Sequence, residues 1–279
     1  MKITYQEFKP SAALQLYVDA YWLLSFEGAS GEYSPDQYCI PIGMAEIVIT
    51  IDDGEYDINA GGNWFPLPDM LMCGVYNDKV AWRANGTTRK FGIRLKPETL
   101  HMLFHAPSSL LYTDYTDLEN IVGKNAKLFV EQLAEASDTQ ILISRTEAFL
   151  KMQLNRHKQE HNPLIEAVRL IRSSKGSISV DTICRSVYVS PRQLQRSFQK
   201  EMGLTPKAYQ RLIRFRNVYR DMQSLHTAGG WAGLSYNLGY ADQAHLIRDF
   251  KAFTGFVPTE LLSRKSHVYG LAESAGVMT

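Results

Sequence analysis

Ser190-Pro191-Arg192-Gln193-Leu194-Gln195-Arg196-Ser197-Phe198, followed by Gly203-Leu204-Thr205-Pro206, is the stretch that decides the fold of this chain. Ser190 is a favoured N-cap, Pro191 takes the first helical position and Gln193 the third, which is the arrangement of a capping box. Leu194 and Phe198 lie four apart and share a face, while Gly203 and Pro206 mark the end of one helix and the start of the next. The pattern returns 52 residues later, pairing Leu194 with Leu246, Arg196 with Arg248, Phe198 with Phe250, Gly203 with Gly255 and Pro206 with Pro258. One constant offset implies one supersecondary unit used twice.

Each capped helix is preceded by a short amphipathic one. Val180, Ile183, Cys184 and Val187 form its apolar face in the first copy, and Trp231, Leu234, Ser235 and Leu238 in the second, both at i, i+3, i+4, i+7 spacing. Two short helices joined by a tight turn, the second firmly capped, read as a helix-turn-helix, with second helices at about 190–202 and 242–254. In that motif the second helix enters the major groove, about 12 Å wide, with its N-terminal residues on base edges. Once Leu194 and Phe198 are buried, the first helix presents Arg192, Gln195, Arg196 and Gln199. Arg pairs bidentately with guanine and Gln with adenine, so this face suits direct readout. The second offers Gln243, Ala244, Ile247, Arg248 and Lys251, a less polar set in which Ala244 and Ile247 suit a thymine methyl. Between them Thr205-Pro206 opens a long helix to about residue 224, with Lys207, Arg211, Arg214 and Arg220 expected mostly outward. Such a bridge would set two groove entries roughly 34 Å apart.

Composition agrees once it is divided. The 279 residues are 45% hydrophobic, as in globular protein, and 30 basic against 29 acidic side chains give a net +1 that on its own argues against a polyanion partner. Residues 1–155 hold 12 basic and 20 acidic side chains, a net −8, leaving +9 for residues 156–279. The polar run 156–162 before Pro163 marks the boundary, with Asn162 as the cap of the next helix and Gly176 as its stop. The acidic half changes period. Residues 12–20 read as a short helix; segments 45–51, 70–75, 79–83 and 88–95 read as strands separated by turn chemistry such as Ala60-Gly61-Gly62-Asn63 and Asn85-Gly86; and 97–104, 124–136 and 139–155 read as helices. The expected fold is α+β with two domains, an antiparallel β sheet or barrel with helices followed by an all-α domain.

Three dispersed cysteines, Cys39, Cys73 and Cys184, indicate neither a disulfide framework nor a zinc ribbon and fit a reducing cytoplasm. The N-terminus lacks a secretory apolar core, and no apolar run spans a bilayer, so no membrane partner is expected. His101 with His105, and His157 with His161, have i, i+4 spacing but no third ligand, so no metal or other cofactor is expected. Asp52, Asp53, Glu55 and Asp57 read as a solvated hairpin loop, and Tyr21, Trp22, Trp64, Phe65, Tyr76 and Trp82 as sheet core or the lining of a pocket.

The C-terminal hundred residues resemble the AraC-type transcriptional regulators. The residues that carry the resemblance are the two stretches quoted first, then Leu238-Gly239-Tyr240-Ala241-Asp242-Gln243-Ala244-His245-Leu246-Ile247-Arg248-Asp249-Phe250 and Thr254-Gly255-Phe256-Val257-Pro258. The resemblance implies base contacts from Arg192, Gln195 and Arg196, and from Gln243, Ala244 and Arg248. It also implies a division into a sensor or dimerisation domain over 1–155, a linker over 156–162, the DNA-binding domain over 163–265 and a tail over 266–279. Leu16-Tyr17-Val18-Asp19-Ala20-Tyr21-Trp22, Ile40-Pro41 and Phe91-Gly92-Ile93-Arg94-Leu95-Lys96-Pro97 resemble the cupin-type sensor domains attached to one subgroup. The implied partner is double-stranded DNA. RNA polymerase, an unidentified small-molecule effector and a second copy of the chain are further partners the resemblance admits, and it fits an activator and a repressor alike. The competing readings are an effector-free architectural DNA binder and a cupin-like enzyme domain recruited to DNA.

Overall fold

In the computed structural model, which describes residues 2–52, 54–104, 116–117, 119–156, 162–222, 230–263 and 268–269, strands fill the first hundred residues. They are β1 (Lys2–Phe8), β2 (Val18–Glu27), β3 (Gln37–Cys39), β4 (Ala45–Thr50), β5 (Glu55–Ala60), β6 (Asn63–Pro66), β7 (Met70–Cys73), β8 (Val80–Asn85) and β9 (Thr88–Leu95). One antiparallel sheet runs β1-β2-β9-β4-β7 and the other β3-β8-β5-β6. Helices α1 (Pro97–Phe104), α2 (Glu119–Val122), α3 (Lys124–Ala134) and α4 (Thr139–Arg156) follow, with β10 (Thr116–Asp117) added beside β7.

The period-2 placement of side chains gives the larger sheet two different faces. Along β9, Phe91, Ile93 and Leu95 pack with Ile47 and Ile49 of β4 and with Leu100, Leu103, Phe129, Leu133, Phe149 and Leu150 of the helices. Phe129 and Phe149 stack at 4.1 Å. The opposite face meets the second sheet, where Phe26 lies edge-on to Trp82 at 5.5 Å and to Tyr56 at 6.2 Å. Gly92 lies against the Trp22 indole here, since a Cβ at this position would come within 1.8 Å of Cε2.

Helices build the rest: α5 (Pro163–Ser173), α6 (Val180–Val187), α7 (Pro191–Met202), α8 (Pro206–Asp221), α9 (Gly230–Asn237), α10 (Gln243–Thr254) and α11 (Pro258–Ser263). Their core contains Val168, Ile171, Leu194, Phe198, Tyr209, Leu212, Ile213, Phe215, Leu246 and Phe250, and it includes Ile40, Ile42, Met44 and Val75 from the sheet half. Each such side chain, fully removed from water, contributes about 1.5–3 kcal/mol, so the two halves share one apolar core. Past α11, β11 (Val268–Tyr269) pairs in parallel with Tyr38 and Cys39 of β3. Among the described residues no helix is long and apolar enough to cross a membrane.

Several expectations change. Residues 12–17 form successive turns, closed by Leu14 and Val18 N–H bonds to Ser11 and Leu14 carbonyls, and from Val18 onward the chain is strand, not the helix expected over 12–20. β2 pairs on both sides, with β1 and β9, and these ladders override a weak local helical pattern. Glu55 and Asp57 belong to β5 and not to a hairpin loop, and Asp57 accepts from Arg83 of β8 at 2.9 and 3.0 Å. Tyr21, Trp22 and Trp82 are buried as expected, whereas Phe65 is exposed. His105, His157 and His161 lie outside the described residues, as does the His101 side chain.

Candidate nucleic-acid interface

Both copies of the repeated unit fold as their sequences dictate. In the first, Ser190 Oγ accepts the Gln193 N–H at 3.2 Å while Gln193 Oε1 accepts the Ser190 N–H at 2.9 Å, a complete capping box. In the second, Asp242, 52 residues on, accepts the His245 N–H at 2.6 Å. Gly203 (φ 67°) and Gly255 (φ 78°) end α7 and α10 in the left-handed conformation that a side chain disfavours. Leu194 and Phe198, like Leu246 and Phe250, are fully buried. The turns differ. Counted from the equivalent apolar residues Val187 and Leu238, only Tyr188, left-handed at φ 56°, and Val189 precede the first cap, whereas Gly239, Tyr240 and Ala241 precede Asp242. The second turn therefore carries one more residue, which is why the leading helices repeat at an offset of 51 and the capped ones at 52.

Arg192, Gln195, Arg196 and Gln199 are exposed together on α7. Gln199 is partly committed, since its side-chain amide donates to the Gly203 carbonyl at 3.2 Å. On α10, Gln243, Ala244, Arg248 and Lys251 are exposed, but Ile247 is partly buried against the helical core and is less open than its expected groove-facing place. His245 packs edge-on to Tyr240 at 5.2 Å, with Nε2 3.8 Å from Asp249.

Of the α8 cations expected mostly outward, Lys207, Arg211 and Arg220 are exposed and Arg214 is half-buried, yet several are also paired within the protein. Arg211 donates to Asp249 at 2.7 and 3.4 Å, joining α8 to the buried face of α10. The Arg214 guanidinium donates to the Gly176 carbonyl at 3.1 Å and lies over Tyr240. Lys207 is exposed, and exposed Arg220 bonds its neighbour Asp221. Arg216, also on α8, grips Asp19 of β2 through both carboxylate oxygens at 2.9 and 3.0 Å. Arg172 of α5 donates to buried Glu98 of α1 at 3.2 and 3.3 Å. Burial pushes the Asp19 carboxyl up, but the Arg216 and Arg94 charges outweigh it and hold the group below the usual carboxylate range. At Glu98 burial prevails and raises the carboxyl. No spacing rule connects residues this far apart, so these pairs were invisible in the sequence.

The space between the two sheets is unusually polar. Arg94, with a side chain 3% exposed, donates to Glu7 at 2.8 Å, Glu46 at 3.1 Å and the Tyr5 hydroxyl at 3.1 Å. The Lys90 ammonium lies 3.6 Å from the centre of the Tyr56 ring, without a carboxylate partner among the described residues, and burial brings it down to about 7. Burial also pushes the Cys39 thiol up to about 12 and Cys73 well above its ordinary value, so both are held as neutral thiols.

Residues 183–264 match the family described as a helix-turn-helix domain, over the two motifs and the bridging helix. This segment is an AraC-type helix-turn-helix domain. It is the DNA-binding part of a transcription regulator. Residues 6–117, ahead of the AraC-type domain, match a family described as a domain of unknown function, DUF6597. No curated protein matches the chain. Among solved structures, ToxT from Vibrio cholerae is similar over 87% of this chain and 97% of its own, at 12% identity and a TM-score of 0.46. An unsaturated-fatty-acid-bound form of ToxT from strain SCE256 is similar over 98% and 97%, at 13% identity and a TM-score of 0.44. A cupin superfamily protein from Desulfitobacterium hafniense covers 34% of this chain and 77% of its own, at 22% identity and a TM-score of 0.24.

Proposed function

We propose that the chain is a sequence-specific, non-catalytic transcription regulator of the cytoplasm that reads two successive major-groove segments of double-stranded DNA, one with α7 and one with α10. The observation that carries this reading is the duplicated recognition unit. Two helices with the same cap position, the same buried pair and the same left-handed stop present Arg192, Gln195 and Arg196 in one copy and Gln243, Ala244 and Arg248 in the other. Gln199, Ile247 and Lys251 complete the proposed faces, with Ile247 and Gln199 contributing least for the packing reasons above. The first helix, richer in bidentate donors, supplies more of the discrimination.

In this reading residues 1–155 form a sensor or dimerisation domain, 156–162 the linker, 163–265 the DNA-binding domain and 266–279 a tail. The buried Lys90 and Arg94 between the sheets support a role beyond scaffolding, because unpaired or heavily paired charge in a sandwich interior costs stability and clusters at functional sites. An effector, a second copy of the chain and RNA polymerase are its remaining proposed partners. Arg192→Ala and Arg196→Ala test the groove assignment. Each is expected to cost about 1–3 kcal/mol on the native operator and to relax preference at one position, with binding falling steeply as salt rises. Unchanged affinity and specificity in both variants would remove the assignment.

A further inference from the structure

The C-terminal end of the second recognition helix rests on the sheet half. Lys79, in the connection from β7 to β8, lies against Gly255, the residue that ends α10. A Cβ built on that glycine would stand 2.6 Å from Lys79 Nζ. The same ammonium lies 5.1 Å from the centre of the Tyr38 ring and 4.8 Å from that of Phe256, and the two rings meet edge to face at 6.2 Å. A cation is favoured both at the negative end of a helix dipole and over aromatic faces. Just beyond, Val268 and Tyr269 pair with Tyr38 and Cys39, so the chain is held to β3 on both sides of α11. The first motif carries no aromatic residue at the equivalent place. The residue 52 positions before Phe256 is Leu204, which is buried in the helical core.

We infer that Lys79, Tyr38 and Phe256 form a clasp through which the sheet half positions α10, making them positioning residues for the second DNA segment. The inference rests on the proposed reading that α10 enters a groove. Gln243 and Ala244 lie at the N-terminal end, opposite the clasp, and Arg248 midway along a helix of 12 residues. At 1.5 Å per residue that helix is about 18 Å long, so a tilt of roughly 10° at the clasped end displaces the reading end by about 3 Å. Hydrogen bonds to base edges do not survive such a displacement. Lys79 is thereby committed to a helix end and two rings, and acts on DNA only through α10.

The test is selection from a randomised duplex library by the full-length chain and its Lys79→Ala, Lys79→Arg and Arg248→Ala variants. Lys79→Ala is expected to keep the base preferences of the segment read by α7 and to weaken those of the segment read by α10 roughly fivefold. Its salt dependence stays that of the parent, and Lys79→Arg restores the lost preference because it keeps both the charge and the ring contact. Lys79 is exposed, so folding is not at stake, and a melting temperature within about 2 °C of the parent verifies it. Equal preferences in Lys79→Ala and parent overturn the clasp, provided Arg248→Ala does flatten the second segment. A uniform loss with a salt slope smaller by about one overturns it too, because Lys79 would then be a phosphate contact. If Arg248→Ala leaves the second segment intact, the groove reading of α10 has failed and the clasp falls with it.

Discussion

Arg211 separates a structural cation from a DNA-binding one. From its spacing on the bridging helix it is expected outward, and it is exposed, yet it also donates to Asp249 at 2.7 and 3.4 Å and ties α8 to α10. The hydrogen bond to Asp249 is the main reason its guanidinium is held above the ordinary arginine range. Exposed pairs contribute at most about 1 kcal/mol, whereas stripping a buried carboxylate of its partner costs about 3–5 kcal/mol. Here the carboxylate is 6% exposed and the guanidinium side chain 47% exposed. The screened geometry places Arg211→Ala between those limits, near 2 kcal/mol. At about 2–4 °C per kcal/mol for a chain of this size, thermal denaturation should fall by roughly 4–8 °C. Affinity for DNA should then be measured across a salt series. The slope of log affinity against log salt should match the parent, because no phosphate contact has been removed. A variant with parental melting temperature and a slope reduced by about 0.9 would refute the structural role, since that is the signature of one lost phosphate contact.

Removing the first cap by Ser190→Ala leaves the Gln193 N–H without its acceptor while the backbone N–H of residue 190 still donates to Gln193 Oε1, and should cost about 1 kcal/mol in urea denaturation, with a measurable loss of DNA affinity because α7 begins there. A change under about 0.3 kcal/mol would show that the box does not hold the helix. Lys90 gives a prediction about pH. Its folded value, about 7, lies below the ordinary lysine value, so the cost of protonating it is fully present below pH 7 and fades as pH climbs toward 10.5. Lys90→Met should therefore stabilise the protein at pH 6 by several kcal/mol and make little difference at pH 10.5. Equal effects at both pH values would contradict the burial of a titrating ammonium.

Where one element dictated its own conformation, the sequence was enough. The cap, buried pair and stop of α7 all lie within fifteen residues, and the repeat supplied an independent copy of them. The same holds for α1, whose bounds match the expected 97–104. What long-range pairing decides was hidden. The first residues of β2, Val18 to Ala20, read as the end of a helix until its partners β1 and β9 are in place, and β5 looked like an acidic loop because the cation that pairs with Asp57 is on β8. In the recognition units the exposed face was legible from i, i+4 spacing, but the partial burial of Ile247 and the partners of the α8 arginines were not. Whether such residues face outward depends on which neighbour the tertiary fold brings over them, here Asp249, Tyr240 and Asp19.

The opening repeat makes the most direct demand on experiment. If α7 and α10 each occupy a major groove on one duplex face, selection of bound sequences by the unmodified chain must recover a bipartite site whose two enriched segments lie about 10–10.5 base pairs apart. The segment under α7 should be the more strongly conserved of the two. Recovery of a single short segment, or of two segments with freely varying separation, would contradict a protein in which both recognition helices read DNA at a spacing fixed by α8.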